Sequence, residues 1–332
     1  MATWYRRLVW SATALALFVV VLGAAVRLND AGLGCPDWPG CYGVLIPTDI
    51  DTQTALEDFP ERPVEVGKAW YEMVHRYVAT TLGFLIVLIT LFAWRNRQAP
   101  GQPVKTPIVL LAVVIFQGLL GMWTVTLLLK PVIVMGHLLG GLSTLGLLFW
   151  LALEDRRGNN SPVNITRRIA WPAAIALIVL IAQIALGGWT SSNYAALACP
   201  DLPTCLGQWW PEQADFNEGF VMWHGLGVNY EFGILEAPAR VAIHFAHRLG
   251  AVVATLVLLY VTISLVRRQN SDPKIKTACL AVWAALLTQI ILGLCTVWFG
   301  LPLAVATAHN GVAALLLLSV INLNNVASRT TN

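Results

Sequence analysis

The chain has 332 residues, of which 57% are hydrophobic and only 12% are charged, and its mean hydropathy is +0.67. A soluble domain carries about 25% charged residues, so the composition excludes an ordinary soluble protein and predicts that much of the apolar surface faces membrane lipid. The net charge of +3 includes no long basic or acidic run, and we therefore expect no nucleic-acid partner.

Eight apolar stretches are long enough to cross the hydrocarbon of a bilayer, which takes roughly 20 residues of helix. In chain order they are Leu8–Val26, Ala69–Trp94, Thr106–Leu129, Pro131–Leu153, Ile169–Ser191, Val241–Val266, Thr277–Leu301 and Pro302–Asn322. The sequence therefore predicts an all-α integral membrane protein with eight transmembrane helices. The second and sixth stretches carry charges near their starts, and ionisable groups inside transmembrane segments usually mark function.

The distribution of Lys and Arg predicts the orientation, because both are enriched in cytoplasmic loops. With the N-terminus inside, 14 of the 21 basic residues lie on the cytoplasmic side, and the stretch 192–239 on the outer side has none. We therefore expect a multi-pass protein of the cell inner (plasma) membrane. Both termini are then cytoplasmic, and the two long loops, about 28–68 and 192–239, lie outside.

An internal repeat divides the chain into two halves. The first half contains Gln117, Gly121, Thr124, Val125 and His137, which recur 172 residues later as Gln289, Gly293, Thr296, Val297 and His309. The same offset pairs Glu72, His75 and Arg76 with His244, His247 and Arg248, and an offset of 164 pairs Gly23 with Gly187. The repeat predicts two duplicated four-helix bundles, residues 1–160 and 161–332, related by a pseudo-twofold axis along the membrane normal.

Four of the six histidines occupy duplicated positions in even-numbered helices, where we expect them in the outer part of the membrane: His75, His137, His247 and His309. A single buried histidine is often satisfied by a backbone carbonyl. Two imidazoles that face each other across a bundle, however, are the axial ligands of six-coordinate haem iron. Zinc is a weaker alternative because no cysteine or carboxylate completes a tetrahedral set. We predict two haem sites, one for each half.

Position 72 distinguishes the halves. Glu72 lies three residues before His75 and so shares its helix face, whereas the second half has His244 at this position. A functional carboxylate beside only one haem suggests that this haem is chemically modified while the other carries electrons; a merely structural acid is the alternative. Arg76 and Arg248 each follow a ligand histidine, and we expect them to bind haem propionates, with snorkelling to the headgroups as the alternative.

The outer loops each contain a close cysteine pair. Cys35 and Cys41 are separated by five residues that include proline, and so are Cys199 and Cys205. On the oxidising side of a membrane such pairs form disulfides. We predict two disulfides that hold the loops over the haem edges; exchange with an external thiol partner is the alternative.

Taken together, these features resemble the haem A synthase family. The resemblance covers nearly the whole chain and depends on the Glu72-x-x-His75-Arg76 motif, His137, His247, His309, the duplicated eight-helix plan and the outer cysteine pairs. It implies oxidation of the C8 methyl group of haem O, through an alcohol, to the formyl group of haem A, for haem–copper terminal oxidases. It also implies a catalytic Glu72, a substrate haem on His75 and His137, and a haem b (iron) cofactor on His247 and His309. Haem O, the haem O synthase (a farnesyltransferase) and membrane lipid are the partners implied.

Two questions stay open at this point. If His75 and His137 both bind iron, no coordination site remains for dioxygen. One hypothesis is that electrons leave the substrate haem by outer-sphere transfer while Glu72 stabilises the positive charge at the methyl carbon and water adds. The other is that one histidine dissociates and iron activates oxygen. A di-haem b quinol-linked electron-transfer protein and a haem transporter are the alternative functions, and the sequence does not identify the electron acceptor.

Overall fold

The computed structural model describes residues 3–154, 167–268 and 272–328, with side chains from residue 171 onward in the second range. Eight helices in these ranges are long and apolar enough to cross a membrane, which confirms the predicted number. They are α1 (Thr3–Leu28), α2 (Val66–Arg95), α3 (Lys105–Thr126), α4 (Pro131–Glu154), α5 (Arg167–Ser192), α6 (Ala237–Arg268), α7 (Pro273–Trp298) and α8 (Leu303–Ala327). The predicted boundary between the halves at residue 160 lies outside the described residues, as do Arg156, Arg157 and Arg329.

The sequence placed the ends of two helices incorrectly. The predicted third and seventh segments run to Leu129 and Leu301, but α3 ends at Thr126 and α7 at Trp298. Leu128, Leu129 and Leu301 have positive φ angles of 50°, 59° and 63°, and this left-handed conformation ends a helix. Hydropathy continues through these turns because the turns themselves are apolar, so it could not locate the ends of the helices.

The helices pack as two rings of four. In the first ring α1 packs against α2 and α4, and α3 packs against α2 and α4. In the second ring α5 packs against α6 and α8, and α7 packs against α6 and α8. The rings meet through three further contacts, α1 with α8, α4 with α5, and α4 with α8. Within each ring, the even-numbered helices are therefore diagonal neighbours.

Small residues allow the helices to approach closely. The alanines Ala12, Ala173, Ala176 and Ala314 have no exposed surface and lie in one apolar cluster that includes residues from both rings. In lipid the association of helices depends on van der Waals packing rather than on exclusion of water, and interfaces are accordingly rich in such residues. This packing fixes the relative positions of the helices that carry the histidines.

The two long loops lie at the same end of the helices and contact each other. Arg62 of the first loop forms an ion pair with Glu231 of the second, with an N–O distance of 2.7 Å. The second loop also reaches the turn between α3 and α4, because the backbone N–H of Tyr230 donates to the carbonyl of Leu128 at 3.0 Å. In the same turn the buried Lys130 donates to the carbonyl of Gly225. The second loop thus covers part of the first ring.

Candidate functional site

The four duplicated histidines form two pairs, each from diagonal helices. The rings of His75 on α2 and His137 on α4 have their centroids 6.4 Å apart and are inclined at 72°. Two imidazoles that bind one metal ion, at metal–nitrogen distances of about 2 Å, have centroids roughly 6 Å apart. In the second ring His247 on α6 and His309 on α8 lie on the corresponding pair of diagonal helices. Within the described residues α2 and α4 do not pack directly, and neither do α6 and α8.

A glycine on the neighbouring odd-numbered helix accommodates each imidazole. A methyl group added at Gly23 of α1 would lie 3.0 Å from Cε1 of His75. The corresponding distances to Cε1 are 3.2 Å from Gly121 to His137, 3.1 Å from Gly187 to His247 and 3.1 Å from Gly293 to His309. Such contacts are too close for any larger residue unless the imidazole shifts. The glycines therefore determine where the four rings lie.

Glutamine amides hold three of the four rings. Nε2 of Gln117 lies 3.0 Å from Nδ1 of His137, and Nε2 of Gln183 lies 3.0 Å from Nδ1 of His247. Each of these amides also donates to the backbone carbonyl of its histidine, at 2.7 and 3.0 Å respectively. Contacts of this kind to one ring nitrogen orient an imidazole whose other nitrogen binds a metal.

The third amide reaches its histidine differently. Nε2 of Gln289 lies 3.1 Å from Nε2 of His309, and Nδ1 of that ring has no partner among the described residues. The amide oxygens of all three glutamines, Gln117, Gln183 and Gln289, are also buried without a hydrogen-bond partner. An amide can donate through its nitrogen or, after a half-turn, accept through its oxygen. Each glutamine can therefore contact either tautomer of its imidazole.

Glu72 is buried near the N-terminal end of α2, with 5% of its surface exposed. One carboxylate oxygen accepts from Nη2 of Arg76 at 2.5 Å. The other accepts from the backbone N–H of Cys35 at 2.9 Å. The ion pair and the amide replace part of the hydration that this buried carboxylate loses. Glu72 thus joins the helix of His75 to the loop that contains the first disulfide.

The second half builds a related contact with an imidazole. Nδ1 of His244 accepts from the backbone N–H of Cys199 at 3.1 Å, and Nε2 of the same imidazole lies 3.3 Å from Nε of Arg248. Positions 72 and 244 therefore have the same architectural role, since each side chain lies between a cysteine amide and an arginine. They differ in chemistry, because only the first half places a carboxylate here.

Arg76 and Arg248 bind the disulfide loops. Arg76 donates to the carbonyls of Asp37, Pro39 and Gly40, and Arg248 donates to those of Cys199, Asp201 and Thr204. These bonds to the loops were not foreseen, and the propionate contacts expected from the sequence stay a prediction. Since a guanidinium has five donors in one plane, it can bridge several carbonyls at once.

The structure contains both predicted disulfides, Cys35–Cys41 and Cys199–Cys205. Each loop is closed further by an aspartate that accepts two backbone N–H groups, at 2.6 and 3.0 Å, from the residues after the second cysteine: Asp37 in the first loop and Asp201 in the second. Hydrogen bonds, that of the Thr204 hydroxyl first, lower the pKa of Asp201 to about 2. The loops are thus held by covalent and polar contacts directly above the arginines.

The donor set fits haem iron. No group of three or more His, Cys, Asp or Glu side chains in the described ranges is arranged to hold a metal ion. Haem requires only two protein ligands, because the porphyrin supplies four nitrogens. Each pair offers two imidazoles, and a glycine next to each imidazole leaves it space. Each diagonal pair can therefore hold one haem between its helices.

The glycine contacts give a testable prediction. Gly187→Ala is expected to displace the ring of His247, because the added methyl would lie 3.1 Å from Cε1, and so to lower the haem content of the second ring about tenfold. Gly83→Ala is the matched control, since a methyl group there meets nothing within 4 Å. The measurement is the haem-to-protein ratio of the purified variants from their absorption spectra. Equal ratios in both variants would contradict the assigned contact.

Sequence reasoning overlooked the roles of several residues here. Gln117, Gly121, Gln289 and Gly293 were used only as markers of the repeat, and Gln183 was missed. The signal that could have found them is a Gln-x-x-x-Gly spacing, which occurs in α3, α5 and α7 and places both side chains on one helix face.

Comparisons with known proteins identify the family of this chain. The profile of the cytochrome oxidase assembly protein family (COX15-CtaA) matches residues 6–321. A protein of Shewanella oneidensis named heme A synthase is 44% identical over 97% of this chain and 95% of its own length. Proteins of the same name from Halalkalibacterium halodurans and Erythrobacter litoralis are 26% and 28% identical. They match 94% of this chain, and the match covers 93% and 94% of their own lengths.

Proposed function

Since this chain belongs to the cytochrome oxidase assembly protein family and acts as a haem A synthase, we propose that its first half, residues 1–160, binds haem O and that its second half, residues 161–332, binds a haem b cofactor. The family inferred from the motifs is confirmed. The reaction is the oxidation of a methyl group of haem O to a formyl group, so the protein is an oxidoreductase and a multi-pass membrane protein.

The assignment of the two haems to the two halves depends on one observation, which is that the first half has Glu72 where the second half has His244. His75 and His137 would bind the iron of the substrate haem, and His247 and His309 would hold the haem b cofactor. When bound, haem b supplies a one-electron redox centre in the second half. A carboxylate next to the first pair can favour positive charge that develops on the substrate, whereas the neutral His244 next to the second pair cannot.

Glu72 acts in this proposal as an electrostatic group that is already oriented. Arg76 and the amide of Cys35 fix its two oxygens at 2.5 and 2.9 Å, so the carboxylate does not have to reorganise during the reaction. Fixed charges in a site that excludes water stabilise developing charge more strongly than mobile ones. The disulfide loop above it, held by Arg76, keeps water away from that side.

The orientation and the partners belong to the same proposal. The excess of Lys and Arg on one side favours cytoplasmic termini in the inner membrane. Disulfides in both long loops agree with an outer, oxidising location for that end of the helices. We further propose that haem O arrives from the haem O synthase within the membrane.

Two other functions explain less of the structure. A di-haem b electron-transfer protein accounts for the four histidines but gives the difference between Glu72 and His244 no role. A haem transporter needs neither two sites with the same glycine contacts nor a buried carboxylate. The names of the similar proteins also favour the synthase.

Extraction of haem from cells tests the proposal. Cells that produce haem O are compared with and without this protein, and their pigments are separated by chromatography. We expect haem A only when the protein is present, with haem b bound to the purified chain. Bound haem b with unchanged haem O would instead support an electron-transfer protein. A loss of haem O from the membrane without haem A would support a transporter.

A further inference from the structure

The four histidines are not held equally. In α3, α5 and α7 a glutamine lies four residues before the glycine that contacts the imidazole: Gln117 before Gly121, Gln183 before Gly187 and Gln289 before Gly293. In α1 the residue four before Gly23 is Val19. Gly23 contacts His75 in the same way as the other three contact their histidines, so Val19 occupies the place of a glutamine.

The geometry at His75 agrees with this substitution. Nδ1 of His75 is buried and has no hydrogen-bond partner among the described residues. Val19 is half-buried and packs against the apolar core, and its side chain has no polar atom. In the second ring of helices the corresponding imidazole belongs to His247, and its Nδ1 lies 3.0 Å from the Gln183 amide. The two histidines that correspond in the repeat therefore differ in their support.

The two haems also differ in how long they stay bound to the protein. The substrate must leave as product after each reaction, and its iron–histidine bonds must break every time, whereas a cofactor stays bound. A polar group that orients a metal-binding histidine typically changes metal affinity by about 10–100-fold. A site that must release its haem therefore benefits from one histidine ligand that no such polar group orients.

We propose that His75 is the exchangeable axial ligand of the substrate haem, because Val19 leaves its ring without the amide that holds His137, His247 and His309. The inference depends on the proposed function only for the assignment of the substrate to the first half. The bond from iron to the imidazole nitrogen of His75 breaks first, without a change in oxidation state, while His137 stays bound with Gln117.

The position that opens is on the α2 side of the haem. His75 and Glu72 share one face of α2, one turn apart. The vacated coordination site is therefore on the same side as the buried carboxylate, and Val19 is a positioning residue that acts through His75. Of the two hypotheses for the source of oxygen, this arrangement agrees with the one in which a histidine dissociates, because it makes a coordination site available to an external ligand.

Carbon monoxide is the probe for this proposal, because it binds ferrous haem iron only where an axial position opens. The purified full-length protein, with haem A in the first half and haem b in the second, is reduced without oxygen and titrated with carbon monoxide. Haem A and haem b absorb at different wavelengths, so each site is read separately. We expect carbon monoxide to bind haem A with at least about tenfold higher affinity than haem b.

Exchanges of valine and glutamine test whether the amide causes the difference in carbon monoxide affinity. Val19→Gln is expected to weaken carbon monoxide binding at haem A about tenfold and to slow the release of haem A to apomyoglobin. Gln183→Val is expected to make haem b bind carbon monoxide, and it tests the same contact if Val19→Gln does not fold. Gln117→Val separates the two ligands of the first site, since it loosens His137 only.

Two outcomes would overturn the proposal: equal carbon monoxide affinity at both haems of the wild type, or no effect of Val19→Gln in a folded protein. In the second case, an increase in carbon monoxide affinity with Gln117→Val would assign the exchange to His137. Each can occur while cells still make haem A, so the proposed function would stand. Failure to make haem A in cells that supply haem O would instead overturn the proposed function.

Discussion

Replacing Glu72 by glutamine is expected to lower the formation of haem A by about 100-fold or more, which is the scale of removing one oriented electrostatic group from an active site. Glutamine retains an oxygen that can accept the N–H of Cys35, which Glu72 binds at 2.9 Å, but it removes the negative charge. Haem b should stay bound, because its proposed ligands lie in the other ring. The measurement is the haem A produced for each bound haem b in cells that supply haem O.

A control distinguishes chemistry from folding. Glu65 precedes α2 and pairs with Lys68 at 2.9 Å, with 56% of its side chain exposed, and Glu65→Gln should leave haem A formation unchanged because surface pairs contribute little. Glu72→Ala additionally removes the acceptor for Cys35 and should loosen the disulfide loop. If Glu72→Gln kept more than half of the wild-type yield, the carboxylate would be structural, as His244 is in the second half.

The second large effect is expected from the histidine pairs. His247→Ala and His309→Ala should each remove haem b from the purified protein and abolish haem A formation, because one axial ligand cannot retain the low-spin, six-coordinate haem. His137→Ala should leave haem b bound and abolish haem A formation alone. The checks are the haem b content from the pyridine haemochrome spectrum and the haem A yield in the same cells.

These expected haem contents follow only if haem O binds in the first half and haem b in the second. Loss of haem b from His137→Ala, with haem b retained in His309→Ala, would reverse the two sites. Equal loss in all three variants would indicate one haem shared between the rings. A circular dichroism spectrum with the wild-type helix signal is required of each variant, since a misfolded protein loses haem for another reason.

Each disulfide loop is connected to the helix that carries one histidine of a pair. Arg76 bonds to three carbonyls of the first loop and to Glu72 at 2.5 Å. Arg248 makes the same kind of contact with the second loop and His244. A change in either loop therefore reaches, within a few hydrogen bonds, the helix turn next to His75 or His247.

Some of this could be read directly from the sequence. The number of membrane helices follows from runs of apolar residues, because the cost of burying a charge in lipid is a local property of each segment. The ligand candidates His75, His137, His247 and His309 follow from their constant spacing in the repeat, and both disulfides follow from cysteines with only five residues between them in a long loop. Whether these histidines hold haem as assigned is for the experiments above.

Only the tertiary structure decided which groups contact each other. The amide of Gln183 reaches His247 from another helix 64 residues earlier, and Arg76 reaches carbonyls 36 to 39 residues away. Such contacts depend on how helices rotate and cross, which no local pattern encodes. The absence of a partner for Nδ1 of His75 among the described residues became visible for the same reason, because it is a property of the packed helices and not of the residue itself.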